Sequence, residues 1–332
     1  MKHRSIRSVW SQTIVFGVCL GLAAVYGETA EGQVRKEINL AEPAFEQHVW
    51  FYQNASFLRL NPIGLVNRSQ LGYKYALFNS DNIVLKDTYA GLSFVPTISP
   101  TFTRLGGRAE LKPLALLRFS AQYEWVGHFG TFGTISSAPT PNADFTDDAR
   151  NTAQDEGTNY ATSGTILTLG SLIQAKAGPI AARTQLKAIR QELDLNNGDT
   201  VFYDIILDVI APQQGWLYTA DTDILFLAGK LTLGVRHTFI TTSYKDSDFL
   251  PGESTENLNT PTQRVGPLVA YRFYDAPGAS IDQPTLFMLL NTWVQHRYRT
   301  GEDVSQAVPY FVIGFSFNGK IGTPTAPVPS RR

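Results

Sequence analysis

The chain has 332 residues, with 28 Lys and Arg against 29 Asp and Glu, and a single cysteine. A near-neutral chain without a basic tail carries no electrostatic footprint for nucleic acid, and one cysteine excludes a disulfide-stapled secreted domain. No stretch beyond the N-terminal segment reaches the roughly 18 apolar residues of a spanning helix, so a closed β-barrel is the membrane-crossing architecture left open.

Residues 1–27 read as a secretory signal peptide: Lys2, Arg4 and Arg7, then an apolar run from Thr13 to Tyr26, then the small residues Gly27 and Ala30. Cys19 lies inside that run behind Val18, where a lipoprotein signal needs a small residue. Processing takes Lys2, Arg4 and Arg7 from the 28 cations, leaving 25 basic against 29 acidic residues and no cysteine. Residues 28–54 contain Pro43 and no period, and are expected to form a periplasmic lead-in.

Period-two alternation, the mark of a strand, then begins. Ser56 to Leu60 opens the series and Asn61-Pro62 with Gly64 stops it. Gln70 to Phe78 sets Leu71, Tyr73, Tyr75 and Leu77 against Gln70, Gly72 and Lys74, and Thr88 to Phe94 alternates more weakly. Phe102 to Leu111 sets Arg104, Arg108 and Glu110 against Leu105, Ala109 and Leu111. After Lys112-Pro113 comes the cleanest alternation in the chain. Leu117, Phe119, Ala121, Tyr123 and Trp125 face one way, and Arg118, Ser120, Gln122 and Glu124 the other. Apolar and aromatic residues toward lipid with charges toward a lumen is the pattern of a membrane barrel strand.

Residues 128–160 lose the period and are expected as a long polar loop. Thr165 to Lys176, Ile180 to Ala188, Val201 to Val209, Thr219 to Ala228 and Leu231 to Phe239 follow as strands. Residues 244–262 form a second long acidic loop. Val265 to Phe273, Leu286 to Tyr298 and Phe311 to Phe317 complete thirteen candidates. A single-chain bacterial barrel has an even number, so one is wrong, either Ser56–Leu60 or one of the pair around Pro212.

The last strand, with Phe311, Ile313, Phe315 and Phe317 around Gly314, resembles the final strand of Gram-negative outer-membrane β-barrel proteins of the porin-like kind, which the barrel-assembly machinery reads. The resemblance covers residues 55–318 as architecture, and a Pro-rich tail, 319–332, follows. It implies an all-β transmembrane antiparallel β-barrel of about twelve strands, within ten to fourteen. It further implies localisation in the cell outer membrane, with lipid, lipopolysaccharide and the assembly machinery as partners, possible small solutes, and no cofactor.

Three kinds of chemistry are conceivable on such a barrel. A lipid-modifying hydrolase could use an outward His with a Ser, which makes His237 with Ser243, or His296, the sharp reading; an interface histidine in the aromatic girdle is the bland and favoured one. Asp144, Asp147 and Asp148, or Asp246 and Asp248, could offer oxygen ligands to calcium, but neither set matches a defined calcium loop and no metal site is assigned. The lumen is more informative. By phase, Arg104, Arg108, Arg118, Arg183, Lys187, Arg236, Arg272, Arg297 and Arg299 line it with Glu110, Glu124, Asp204, Asp208, Asp221 and Asp223. An Arg excess around a pore lowers the barrier for anions. The expected function is therefore a porin-like passive channel or small-solute transporter, against a structural or surface-interaction barrel with a plugged lumen.

Overall fold

The computed structural model describes residues 46–80, 82–276, 279–301 and 309–321. The signal-peptide reading and most of the C-terminal tail lie outside them. Twelve strands pair in sequence, each antiparallel to the next. They are β1 (His48–Leu60), β2 (Gly64–Ala76), β3 (Tyr89–Phe94, continued by Thr97–Ile98), β4 (Phe102–Leu114), β5 (Leu117–Phe129) and β6 (Ala161–Ala177), followed by β7 (Ile180–Leu193), β8 (Gln214–Ala228), β9 (Leu231–Ser243), β10 (Thr262–Arg272), β11 (Asp282–Gln295) and β12 (Tyr310–Ile321). β12 pairs back onto β1, with Asn54 opposite Phe317 and Phe57 opposite Gly314, so the sheet is a closed barrel without edges. Closure satisfies the strands' backbone groups internally, as lipid requires.

β3 counts as one strand. Both of its pieces pair with β2 and β4, and Val95-Pro96 between them keeps contact through Val95 N–H to the Gly106 carbonyl (2.8 Å) and Ser69 N–H to the Pro96 carbonyl (2.9 Å). Proline lacks the donor needed to continue the ladder, which interrupts the strand there.

The faces separate as period two requires. On β5, Phe119, Tyr123, Trp125 and Phe129 are exposed outward, while Gln122, Glu124 and Val126 are buried inward. Exposed Leu71, Leu92, Leu105, Phe226, Met288 and Phe315 continue the outer apolar band around the barrel. Such a band is stable against hydrocarbon and not against water.

Both barrel termini, His48 and Ile321, sit at the end closed by two-residue turns at 115–116, 178–179 and 229–230. Gly178 and Gly229 take positive φ in two of these turns. Long connections at 130–160, 194–213 and 244–261 all gather at the other end, as do the described residues 296–301 that follow β11. That asymmetry puts the termini in the periplasm and the long connections outside.

Several expected boundaries move. β1 includes His48–Asn54, assigned in the sequence to the lead-in, because the outward aromatic Trp50 and inward Phe51 already alternate. His128 lies on β5 and not in a loop. The surplus thirteenth strand is Val201 to Val209. Two short strands, Val201–Asp204 and Val209–Pro212, form a hairpin that pairs with Ser137–Ala138 in a separate small sheet. Asp204 makes the turn, its Oδ1 accepting from the backbone N–H groups of Ile206 (2.8 Å) and Leu207 (3.1 Å). An Asp bonded to the backbone two residues on is a turn former. All eight strand residues of the hairpin are buried, so neither of its faces meets lipid.

The hairpin fills the extracellular mouth. Phe202, Val209 and Ala211 on one face pack against wall residues Val126, Ile166, Leu193, Leu217 and Ile240. Val201, Tyr203 and Ile210 on the other pack with Ala138 and Phe145 from connection 130–160. Each large apolar side chain buried here stabilises by about 1.5–3 kcal/mol. A short helix, α1 (Asp147–Asp155), capped by Thr146 Oγ1 accepting from Ala149 N–H (3.3 Å), lies in the same connection.

Candidate functional site

Four connections interlock into one cap. Tyr244 donates to the Ile210 carbonyl (2.7 Å), Thr200 to the Asp248 carbonyl (2.7 Å), Asn259 to the Pro141 carbonyl (2.9 Å) and Arg297 to Asn259 Oδ1 (2.6 Å). The hairpin leaves the wall between β7 and β8 and reaches β1 on the far side. There Arg59 donates to the carbonyls of Ile206 (2.7 Å) and Ile205 (2.6 Å). At the hairpin turn, Asp208 is gripped by Arg299 through Nε (2.6 Å) and Nη2 (3.0 Å), and by the Tyr203 hydroxyl. Burial alone would raise the Asp208 carboxyl. The imidazole of His296, charged at such pH, and the Arg299 guanidinium outweigh it and hold the group at about 2. Burial lowers His296 below the ordinary imidazole value, and the Asp208 charge does not compensate. Its two nitrogens fit the neutral ring, Nε2 donating to the Asp208 carbonyl (2.8 Å) and Nδ1 accepting from Tyr298 N–H (3.0 Å).

Below the cap lies a cavity of ≈470 Å³, extending from Ile206, Leu207 and Arg59 under the hairpin to Gln283 and Asn318 near the periplasmic rim. The sheet alternation turns Arg104, Arg108, Glu110, Arg118, Glu124, Arg183, Lys187, Asp221, Asp223, Arg236 and Arg272 inward. Asp223, 0 % exposed, sits between Arg183 and Arg236, the latter donating from Nε (2.6 Å) and Nη2 (2.8 Å). Glu110 accepts from Arg108 (2.8 Å) and Gln70 (3.2 Å) and faces Arg118 at 3.6 Å. Arg272 pairs with Asp275 (3.0 Å) at the periplasmic end.

Four of the residues assigned by phase to the lumen wall stand elsewhere. Asp204 and Asp208 belong to the hairpin, because the segment carrying them is not a barrel strand. Arg297 and Arg299 belong to the cap, because β11 ends at Gln295. Other inward cations were left out of the lumen set. Lys74 on β2 and Arg264, the third residue of β10, stand in phase with the inner face but were not assigned to it. Arg59 stands near the end of β1, Arg68 on β2 precedes the expected start at Gln70, and Lys112 sits beside a proline.

Among the described residues neither histidine forms a hydrolase pair with a serine. His237 faces lipid and contacts Gln263 Oε1 (3.2 Å). Ser243 stands six positions further along the same strand, roughly 20 Å away at the strand rise. His296, expected on the lipid side, is buried in the cap. Of the candidate calcium ligands, Asp147 pairs with Arg150 and Arg299, and Asp248 accepts from Lys245 N–H (2.8 Å).

Among the described residues six cations line the cavity, Arg59, Arg68, Arg183, Lys187, Arg236 and Arg264, with one acid, Asp221. Low-dielectric walls lined by one sign of charge focus a field that concentrates the opposite ion.

No family model matches the chain, and no curated protein matches it. Among solved structures it is similar to the β domain of the Bordetella autotransporter BrkA, at 13% identity over 82% of this chain and 99% of that one, with a TM-score of 0.39. It is also similar to the Acinetobacter baumannii outer membrane protein Omp33, at 11% identity over 82% and 99% with a TM-score of 0.34. The NanC porin matches at 6% identity over 81% and 98%, with a TM-score of 0.34. Likenesses this distant carry no argument about role. The closed cylinder, its apolar outer band and the gathering of long connections at one end make this an outer-membrane β-barrel.

Proposed function

We propose that this outer-membrane barrel is an anion-preferring channel for small solutes, with a folded cap at its extracellular mouth. The observation that carries the reading is the imbalance around the cavity, six cations to one acid. Charge of one sign along a pore lowers the barrier for ions of the other. Arg183 and Arg236 are engaged by Asp223, and Arg59 by the hairpin. Arg68 donates to the neutral Gln122 (2.8 Å), so that its charge still acts on the lumen.

The test is the reversal potential of the purified protein in a planar bilayer under a KCl gradient. Chloride preference is expected, and Lys187→Glu combined with Arg68→Glu should reverse it. Cation preference in the wild type would overturn the reading.

A second reading, a structural barrel with a sealed mouth, is favoured by the hairpin's burial on both faces. It requires zero conductance in the wild type and in a variant whose cap has been released.

A further inference from the structure

We propose that the lumen binds an amphiphilic anion, a carboxylate or sulfonate on a medium-length apolar body, with its head on Arg264 and its body along the wall formed by β10, β11, β12 and β1. This rests on reading the cavity as a solute site, and it names the solute's class.

The first observation is a cation that makes no polar contact. Arg264 lines the cavity yet is only 8 % exposed. Its Nε and Nη1 are buried without a hydrogen-bond partner, and among the described residues it forms no ion pair. The guanidinium is clamped instead between rings, 4.0 Å from the Tyr310 centroid and 5.2 Å from that of Trp293. Ring contacts hold the group in place and leave its donors unused.

The orphaned groups cluster. Trp293 is opposite Arg264 in the register, and Asn291 is opposite Tyr310. Trp293 Nε1 has no partner, and both polar atoms of Asn291, 0 % exposed, have none. Buried polar groups in folded proteins are nearly always satisfied, and an unpaired buried charge is the costliest exception. Other inward cations show what satisfaction looks like here: Arg183 and Arg236 on Asp223, Arg108 on Glu110. Asp221, the one acid among the described residues that line the cavity, already accepts from Thr238 (2.6 Å). Of the orphaned groups Arg264 lines the cavity, and an anion there is the partner that it lacks.

The second observation assigns the rest of the ligand. The wall next to Arg264 is apolar. Leu268, Leu289 and Val312 form one buried cluster with Trp293 and Tyr310, with Phe57 and Phe287 packed against it. From Arg264 to Leu268 along β10 is roughly 13 Å at the strand rise, about the reach of a medium alkyl or aryl-alkyl chain. A bare inorganic anion would use the guanidinium and leave this strip against water. An amphiphile covers both, and the volume lies within the usual range for small-molecule sites.

Binding is measured on the full-length barrel in lipid nanodiscs by isothermal titration calorimetry, with empty nanodiscs as the blank. The probes are octanoate, acetate and 1-octanol. Octanoate should bind at least tenfold more tightly than either of the others. Arg264→Gln should weaken octanoate at least tenfold, provided its heat-modifiable gel mobility is retained. Leu289→Gln should weaken octanoate several-fold while leaving acetate unchanged. Equal binding of acetate or 1-octanol by the wild type would overturn the proposal, and so would unchanged octanoate affinity in Arg264→Gln. The wild-type comparison decides the matter even if neither variant folds. Chloride preference in a bilayer without octanoate selectivity would sink this inference alone. Octanoate selectivity in a barrel without conductance would sink the channel reading and leave the site standing.

Discussion

Arg299 and Asp208 face one another as a bidentate pair, Nε to Oδ2 at 2.6 Å and Nη2 to Oδ1 at 3.0 Å, and both side chains are buried. The pair joins the connection between β11 and β12 to a hairpin that starts on the opposite wall. Removing one member of a buried pair leaves the other charge unpaired, at a cost of about 3–5 kcal/mol. Arg299→Met should therefore unseat the hairpin while the cylinder stays intact. Single-channel recording should show a larger and noisier conductance than the wild type, with gel mobility unchanged. An unaltered conductance would mean that the hairpin does not control the mouth.

The cap should also weaken in acid, in two steps. His296 is held neutral in the closed cap, its imidazole lowered below 6.5 by burial. The groups facing it are Asp208, Tyr298 and the Trp293 ring at 4.8 Å, with the Arg299 and Arg264 charges nearby. A site that binds its proton less well when closed than when open loses stability as pH falls below the open-state value. The first step is thus expected on acidification from about pH 6.5. The second belongs to Asp208, whose contribution is present above 3.8 and is lost as pH falls toward about 2. Conductance followed from pH 7.5 downward should rise in the first window, and His296→Gln should remove that rise. A flat pH profile in the wild type would contradict the assignment.

Asp223 lies fully buried between two guanidinium groups. Asp223→Asn keeps the shape and removes the counter-charge. Stability should drop by about 3–5 kcal/mol, read as a lower urea midpoint in phospholipid vesicles. In the fraction that folds, chloride preference should increase, because Arg183 and Arg236 then act on the lumen unopposed. A lower preference would mean that Asp223 does not screen them.

Lipid contact can be tested on β5. Tyr123, 59 % exposed, stands at mid-strand, and Phe129 at the strand end. A lysine on the lipid face costs about 2–4 kcal/mol at the bilayer midplane and about 0–1 near the interface. Tyr123→Lys should therefore be several-fold more damaging than Phe129→Lys in equilibrium unfolding from vesicles. Equal costs would place that face outside hydrocarbon.

The barrel was legible because its strands face two different solvents. On β5, Phe119 to Trp125 and Arg118 to Glu124 are sorted by lipid and lumen, and the period follows directly. The hairpin around Asp204 and Asp208 was misread for the same reason. Its Asp residues alternate with Tyr203, Ile205 and Leu207 as a wall strand's would, but both faces meet protein. The cap depends on pairs between distant segments, Arg59 with Ile205 and Asp208 with Arg299, that no local pattern encodes. Arg264 was visible in phase. That it stands without an acid depends on what β9 and β11 bring beside it, and only the assembled lumen reveals that.

Arg59 belongs to the first strand and Arg299 to the segment leading into the last, while the turn they both hold comes from the middle of the chain. The middle of the polypeptide therefore works as an internal clasp across the seam where β1 meets β12. A cylinder fastened from within cannot unzip sideways into the bilayer until its clasp lets go, so a lesion at Arg59 should slow assembly of the barrel as well as loosen its mouth.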